Sequence, residues 1–295
     1  MRNTFARYLQ GDLSAEMALM YGLQATRSFE TLQAALGAAK QAGLEKGLIQ
    51  YATALSALSA LATENRPGCE RIVGMLRSEV DTDAPAASVD EGIAFCKRLF
   101  NWSVGQSTEA SVALYSLGNP AILEAATAEI VEVMRQWSLL GRTRDLLEIG
   151  CGIGRFQTAL ASHAHEITGI DVSVDMIRAA RSRCAGLTNV SHLECTGRDL
   201  TLFAPGSCDL VFAVDSFPYL VQCGMALVET HFSEVRRVLR PGGDFLILEF
   251  SYGRDLEADR RDVGRLAEGA FEVLVNGERP FRLWDGCAFH LRALP

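Results

Sequence analysis

Leu146-Leu147-Glu148-Ile149-Gly150-Cys151-Gly152-Ile153-Gly154-Arg155 is the stretch on which the fold turns. Apolar residues at 146, 147 and 149 predict a short strand. Three alternating glycines predict a turn, and a helix is expected directly after it. Glycine carries no Cβ, so such a turn lets a ligand approach the backbone, and the helix start offers unpaired N–H groups. A dinucleotide fingerprint is spaced G-x-G-x-x-G. Here the third glycine falls one place early, and Arg155 stands where that pattern wants glycine. The turn alone is compatible with a bare tight turn as well as with a ligand site.

Downstream the chain alternates strand and helix. Strands are predicted at Glu166–Ile170, Val190–Glu194, Asp209–Val214 and Phe245–Phe250. Helices are expected from the turn to about His163, from Ser173 to about Cys184, from Met225 to Leu239 and from Leu256 to Glu268. This alternation implies a parallel sheet covered on both faces. Two further strands, Phe271–Val275 and Gly286–Arg292, are separated by too little chain for a helical crossover and suit an antiparallel return. Asp171 ends the second strand, 21 residues after Gly150. A carboxylate there can accept from both hydroxyls of a ribose, or can serve as a helix N-terminal charge beside the Ser173 cap.

Upstream the texture changes. Residues 1–143 are rich in Ala, Leu, Glu and Gln without β-branched runs, and read as helix throughout. Met17, Met20 and Tyr21, and again Leu55, Leu58 and Ala62, sit at helical spacing. Asp81–Ala87 is a polar linker. Ser88-Val89-Asp90-Glu91 fits a capping box. Asn119-Pro120 opens another helix, which Gly141 is expected to end.

Composition bounds the function. The chain has 295 residues, 48% of them hydrophobic and 22% charged, which excludes general disorder. A net charge of −8 and a pI near 5.2 argue against binding nucleic acid or anionic membranes. The eight cysteines show no C-x-x-C spacing, and the five histidines complete no zinc pattern, so no metal is expected. Met1–Gln10 holds Arg2 and Arg7 but no apolar core of a signal peptide, and no run approaches 18 apolar residues. A cytoplasmic location is the expectation.

The ordered set of motifs resembles the class I S-adenosylmethionine-dependent methyltransferase family over roughly residues 110–295. The resemblance rests on Glu148-x-Gly150-x-Gly152-x-Gly154 and on Ile167-Thr168-Gly169-Ile170-Asp171-Val172-Ser173 with Met176. It rests further on Asp209-Leu210-Val211, and on Val238-Leu239-Arg240-Pro241-Gly242-Gly243 before the fifth strand. It implies an α/β fold: a Rossmann-like seven-stranded methyltransferase sheet with its last strand antiparallel, preceded by an all-α N-terminal cap. The expected division is a helical cap or substrate lid over 1–118 and a methyltransferase core over 119–295.

The resemblance also implies a site. Gly150, Cys151, Gly152 and Gly154 would form the turn against the methionine and ribose parts of S-adenosylmethionine, with Glu148 orienting it. Asp171 would hold the ribose. Val172 and Met176 would lie near the adenine, and Thr196, Gly197 and Arg198 would meet the adenine edge where relatives often carry an acidic residue. Tyr115 is a candidate for a hydroxyl touching cofactor or substrate. Asp215, Tyr219 and His231 are the candidate catalytic residues, each with a rival structural role in loop or helix packing. The expected reaction moves a methyl group to a small-molecule nucleophile, with a lean to oxygen, a hydroxyl or carboxylate, and leaves S-adenosylhomocysteine. A non-catalytic S-adenosylmethionine-binding regulator, a protein-binding module and a NAD-type oxidoreductase are the alternatives. The partner is a small molecule, with a homodimer as the one assembly entertained.

Overall fold

The computed structural model describes residues 1–78, 88–253 and 255–295. The linker read at Asp81–Ala87 lies outside them. The chain divides into two compact units. One comprises the described residues of Met1–Val80 with Trp102–Ala126 and Phe281–Asp285. The other comprises those of Asp81–Asn101, Thr127–Pro280 and Gly286–Pro295.

The first unit is helical: α1 (Arg2–Gln10), α2 (Ala15–Thr26), α3 (Phe29–Glu45), α4 (Ile49–Glu64), α5 (Arg66–Arg77), the end of α6 (Val89–Gln106) and the start of α7 (Pro120–Gln136). Local chemistry sets the helix starts. Ser14 Oγ accepts from the Met17 amide at 3.0 Å and Ser28 Oγ from that of Thr31 at 3.2 Å, the N-cap pattern. Apolar stripes on these helices close over Leu19, Leu23, Leu32, Leu58 and Ile72, all fully buried. Each such side chain contributes about 1.5–3 kcal/mol on burial. Gly68 packs so tightly on the Leu117 carbonyl that a Cβ there would lie 1.8 Å from its oxygen. Trp284 lies outside any strand and stacks on Phe281 and Tyr115 in this unit.

The second unit is a seven-stranded sheet of β1 (Gly141–Ile149), β2 (Ala164–Asp171), β3 (Val190–Glu194), β4 (Cys208–Val214), β5 (Leu239–Leu248), β6 (Phe271–Glu278) and β7 (Ala288–Ala293). Their order is β3-β2-β1-β4-β5-β7-β6. The first five strands are parallel, and β7 runs antiparallel to both β5 and β6. The expected fold class, last strand antiparallel included, is therefore the observed one. Side-chain alternation explains the layers. Leu147, Ile149, Val211, Ala213, Phe245 and Ile247 share one core with Val228, Phe232 and Val235 of α11 (Met225–Val238) and Val263 of α12 (Leu256–Ala267). On the other face Phe212 meets Phe156 of α8 (Arg155–Leu160) edge-on at 6.1 Å. The remaining helices are α9 (Val174–Arg183) and α10 (Phe217–Cys223).

Two expectations are corrected. Gly141 begins β1 and does not end the helix before it, which stops at Gln136. Pro241-Gly242-Gly243 lies within β5, because pairing with β4 resumes across a register shift that absorbs these breakers. Phe217–Cys223 is a helix with Pro218 in its first turn, where the missing N–H costs nothing. Asn119 caps α7 through the Ala121 amide at 2.9 Å, and Ser88 caps α6 through the Glu91 amide at 3.2 Å, as their sequences predict. No described helix is long and apolar enough to cross a membrane.

Candidate active site

The loops at the carboxyl ends of β1, β2, β4 and β5 carry the polar constellation. The β1 turn is braced from below: the amides of Gly150 and Cys151 both donate to Ile170 O, at 2.8 and 3.0 Å. Gly150, Gly152 and Gly154 all have positive φ (73°, 52° and 75°), a region that side chains make costly. Gly154 also packs on α9, where a Cβ would lie 3.0 Å from that of Ala180. At Gly150 a Cβ would come within 2.4 Å of Ser216 Cβ, and Ser216 Oγ donates to Ile149 O at 2.6 Å. The β4 loop is thus fastened directly to the glycine turn.

Asp171 is buried at the end of β2. One carboxylate oxygen accepts from Gly152 N at 2.9 Å and the other from Ser173 N at 2.8 Å. Burial pushes its pKa up to about 6, with those amides and that of Val172 opposing. Glu148 is also buried and accepts from Gln157 Nε2 at 2.5 Å. Burial raises it to about 8 against the pull of Gln157 and Arg155, so it is largely protonated at neutral pH. Gln157 Oε1 is buried without a hydrogen-bond partner. Cys151 is packed under the turn, and burial, then the charges of Asp171 and Glu148, hold its thiol well above the usual range, unfit as a nucleophile.

Beside Asp171, Gly197 packs closely against apolar side chains. A Cβ on Gly197 would meet Val172 Cγ1 at 2.7 Å and Ile93 Cγ2 at 3.3 Å. Met176 is buried, its amide bonded to Ser173 Oγ at 3.1 Å. Thr196 Oγ1 accepts from Arg198 N at 3.2 Å, and Arg198 pairs with Asp90 of α6. Of the expected set, Gly197 meets Val172, and Asp171 and Met176 are both tied to Ser173. Residues 90–101 of α6, missed in the sequence as part of this site, adjoin it as well. Asn101 Oδ1 accepts from Ser173 Oγ at 2.6 Å, and Lys97 pairs with Glu194 at 2.6 Å.

At the ends of β4 and β5 the backbone is strained. Asp215 and Glu249 hold φ of 57° and 67°, a region uncommon outside glycine and found at functional sites. The hydroxyl of Tyr252 donates to Asp215 Oδ1. The ring of Tyr219 packs edge-on between Tyr252 (5.7 Å) and Phe100 of α6 (4.9 Å). Burial, then the Asp215 charge, pushes both phenols above their ordinary range. Asp215 and Tyr219 were legible as candidates; Tyr252, Glu249 and Phe100 carried no local motif. His231 stands elsewhere in character: it is buried in α11, its Nδ1 pairs with Leu227 O of the same helix at 2.9 Å, and burial lowers its pKa. Tyr115 lies in the helical unit, buried and stacked 6.3 Å from Trp284. Among the described residues no group of three His, Cys, Asp or Glu is placed to hold a metal.

The site thus consists of a buried carboxylate tied to a glycine turn, with a polar cluster at the end of the strand beside that turn. Residues 147–247 match the family model for the methyltransferase domain. A demethylmenaquinone methyltransferase of Tropheryma whipplei (strain Twist) is 30% identical over 122 residues, 39% of this chain and 46% of that protein. An S-adenosyl-L-methionine-dependent Diels-Alderase of Talaromyces variabilis is 27% identical over 167 residues, 55% of each. Among solved structures, Haemonchus contortus phosphoethanolamine N-methyltransferase 1, in complex with phosphoethanolamine and S-adenosylhomocysteine, superposes with a TM-score of 0.58 at 19% identity, covering 70% of this chain and 50% of that one. The chain spans less than two thirds of the length of these curated relatives. The chain carries a class I S-adenosylmethionine-dependent methyltransferase domain.

Proposed function

We propose that this protein transfers the methyl group of S-adenosylmethionine to a small-molecule nucleophile. The observation that supports the reading is the Gly152–Asp171 pairing, which ties a buried carboxylate at the end of β2 to the glycine turn after β1. In this assignment Asp171 holds the ribose hydroxyls. Gly150, Gly152 and Gly154 give backbone access, and Val172, Ile93 and Met176 enclose the adenine. Glu148, fixed by Gln157, orients the turn.

The cofactor supplies an activated methyl group, so the protein's tasks are positioning, exclusion of water and, for a nucleophile that arrives protonated, removal of a proton. Asp215, Tyr219 and Tyr252 are the groups assigned to the acceptor. The sequence leaned to oxygen, as hydroxyl or carboxylate. His231, bonded within its own helix, and Tyr115, stacked on Trp284, are assigned to packing.

Calorimetric titration with S-adenosylmethionine, followed by assay of S-adenosylhomocysteine in the presence of a small-molecule extract, tests the reading. One-to-one binding and extract-dependent S-adenosylhomocysteine support it. Binding with no S-adenosylhomocysteine from any extract would instead favour a cofactor-binding regulator.

A further inference from the structure

We infer that Cys96 and Cys223 are a redox-modification site: hydrogen peroxide joins them in a disulfide that ties α6 to α10 and slows cofactor exchange. The effect on exchange rests on the proposed S-adenosylmethionine site; the bond itself does not.

The two thiols are far apart in the chain, yet the fold sets them side by side. Cys96 lies on α6 and Cys223 ends α10. Both are buried in one apolar cluster with Leu227, packed against Ile93, Val172 and Tyr219. The Cys96 thiol donates a hydrogen bond to the sulfur of Cys223. Other cysteines turn to oxygen: Cys69 to Ala62 O at 3.9 Å, Cys184 to the Thr158 hydroxyl at 3.3 Å and Cys208 to that of Ser207 at 3.7 Å. A sulfur partnered by a second sulfur has an oxidation route that those lack. Each of the pair keeps 7% of its surface exposed, which suits a small oxidant rather than a protein disulfide.

The contact divides the roles. The bond from Cys96 favours the thiolate of Cys223 and holds its pKa below the ordinary thiol value against the effect of burial. The same bond, then burial, raises Cys96. Cys223 is therefore the attacking sulfur. Its thiolate takes one oxygen of the peroxide, the O–O bond breaks, the second oxygen leaves as water, and Cys223 becomes a sulfenic acid. Cys96 then attacks that sulfur, the S–S bond forms and the sulfenic oxygen leaves as water with the proton of Cys96. Two thiols and one hydrogen peroxide give one disulfide and two waters.

Position gives the bond its consequence. α6 meets the cofactor site through side chains: Ile93 beside Gly197, Asp90 paired with Arg198, and Asn101 accepting from Ser173 Oγ at 2.6 Å. Contacts of this kind part when a helix moves. α10 follows Ser216, which is fastened to the glycine turn through Ile149 O. The disulfide therefore pins a movable helix to an anchored one, beside the residues assigned to the adenine.

The test treats the full chain, reduced and freed of reductant, with increasing equivalents of hydrogen peroxide. Iodoacetamide trapping and non-reducing peptide mass spectrometry should find a linked Cys96–Cys223 peptide pair that dithiothreitol separates. The oxidised protein should bind and release S-adenosylhomocysteine at least about tenfold more slowly than the reduced protein in stopped flow. Cys223→Ser and, separately, Cys96→Ala should abolish the linkage and leave exchange insensitive to peroxide. Absence of the linked pair in protein that keeps its circular dichroism spectrum overturns the site. A linked pair with exchange unchanged overturns the control assigned to it. Failure of the reduced protein to bind S-adenosylhomocysteine removes the cofactor reading instead, and the linked peptides still decide the disulfide.

Discussion

Gly152 and Asp171 are joined by a hydrogen bond of 2.9 Å from the backbone amide of the first to the carboxylate of the second. The turn after β1 and the acid after β2 are therefore one device, and the acid is aimed by the turn. Asp171→Ala removes charge-assisted hydrogen bonds of about 1.5–3 kcal/mol each. S-adenosylmethionine should bind at least about tenfold more weakly by calorimetry. An unchanged far-ultraviolet circular dichroism spectrum would separate this loss from unfolding.

The same carboxylate sets a pH dependence. Its pKa is raised to about 6, so below that it is protonated and accepts poorly from hydroxyls. S-adenosylhomocysteine affinity should rise as pH increases through about 6 and then level off. Asp171→Asn, always neutral, should show weak binding without that rise.

Glu148 gives a stability prediction of definite sign. Its folded pKa, raised to about 8, exceeds the ordinary value of 4.5, so the folded state holds a proton that the unfolded chain releases. That contribution is complete below pH 4.5 and is lost as pH rises through 8. The melting temperature of the ligand-free protein should fall across this window, and Glu148→Gln should flatten the fall. A wild-type profile rising from pH 5 to 8 would contradict the assignment.

Gly169 tests the packing beneath the turn. Its φ is ordinary, but a Cβ would lie 2.6 Å from Cys151 Cβ and 2.8 Å from Gln157 Nε2. Gly169→Ala should displace the turn and cost about 1–3 kcal/mol, the usual range for overpacking. Denaturant titration reads the loss, and cofactor affinity should fall with it. A silent Gly169→Ala would show that the turn is looser than its contacts suggest.

Much of this was legible in the sequence because it is local. Strand alternation, the glycine turn and the Ser88, Ser173 and Asn119 caps depend on residues within a few positions of one another. Asp171 was legible through its distance from Gly150. What escaped was long-range. Nothing near Ile93 or Asn101 marks which side of α6 meets Gly197 and Ser173. Tyr252 and Glu249 sit in a loop without a motif, and only the adjacency of β4 and β5 puts them with Asp215. Leu239–Gly243 reads as a break because proline and glycine are breakers in isolation; partnership with β4 makes it strand.

A chain beginning at Ser88 tests the division proposed between residues 1–118 and 119–295. It keeps all of α6 together with every residue assigned here to the cofactor. It should retain S-adenosylhomocysteine binding, lose most methyl transfer and become less soluble as apolar helix contacts are lost. Full turnover by the shortened protein would assign the helices to another task.

Transfer of label from S-adenosylmethionine carrying a deuterated methyl group, followed by mass spectrometry of a small-molecule extract incubated with the protein, is the most direct measurement of the central claim. The account predicts a product heavier by a trideuteromethyl group, formed in step with S-adenosylhomocysteine and absent with Asp171→Ala. Tight cofactor binding with no labelled product from any extract would contradict it.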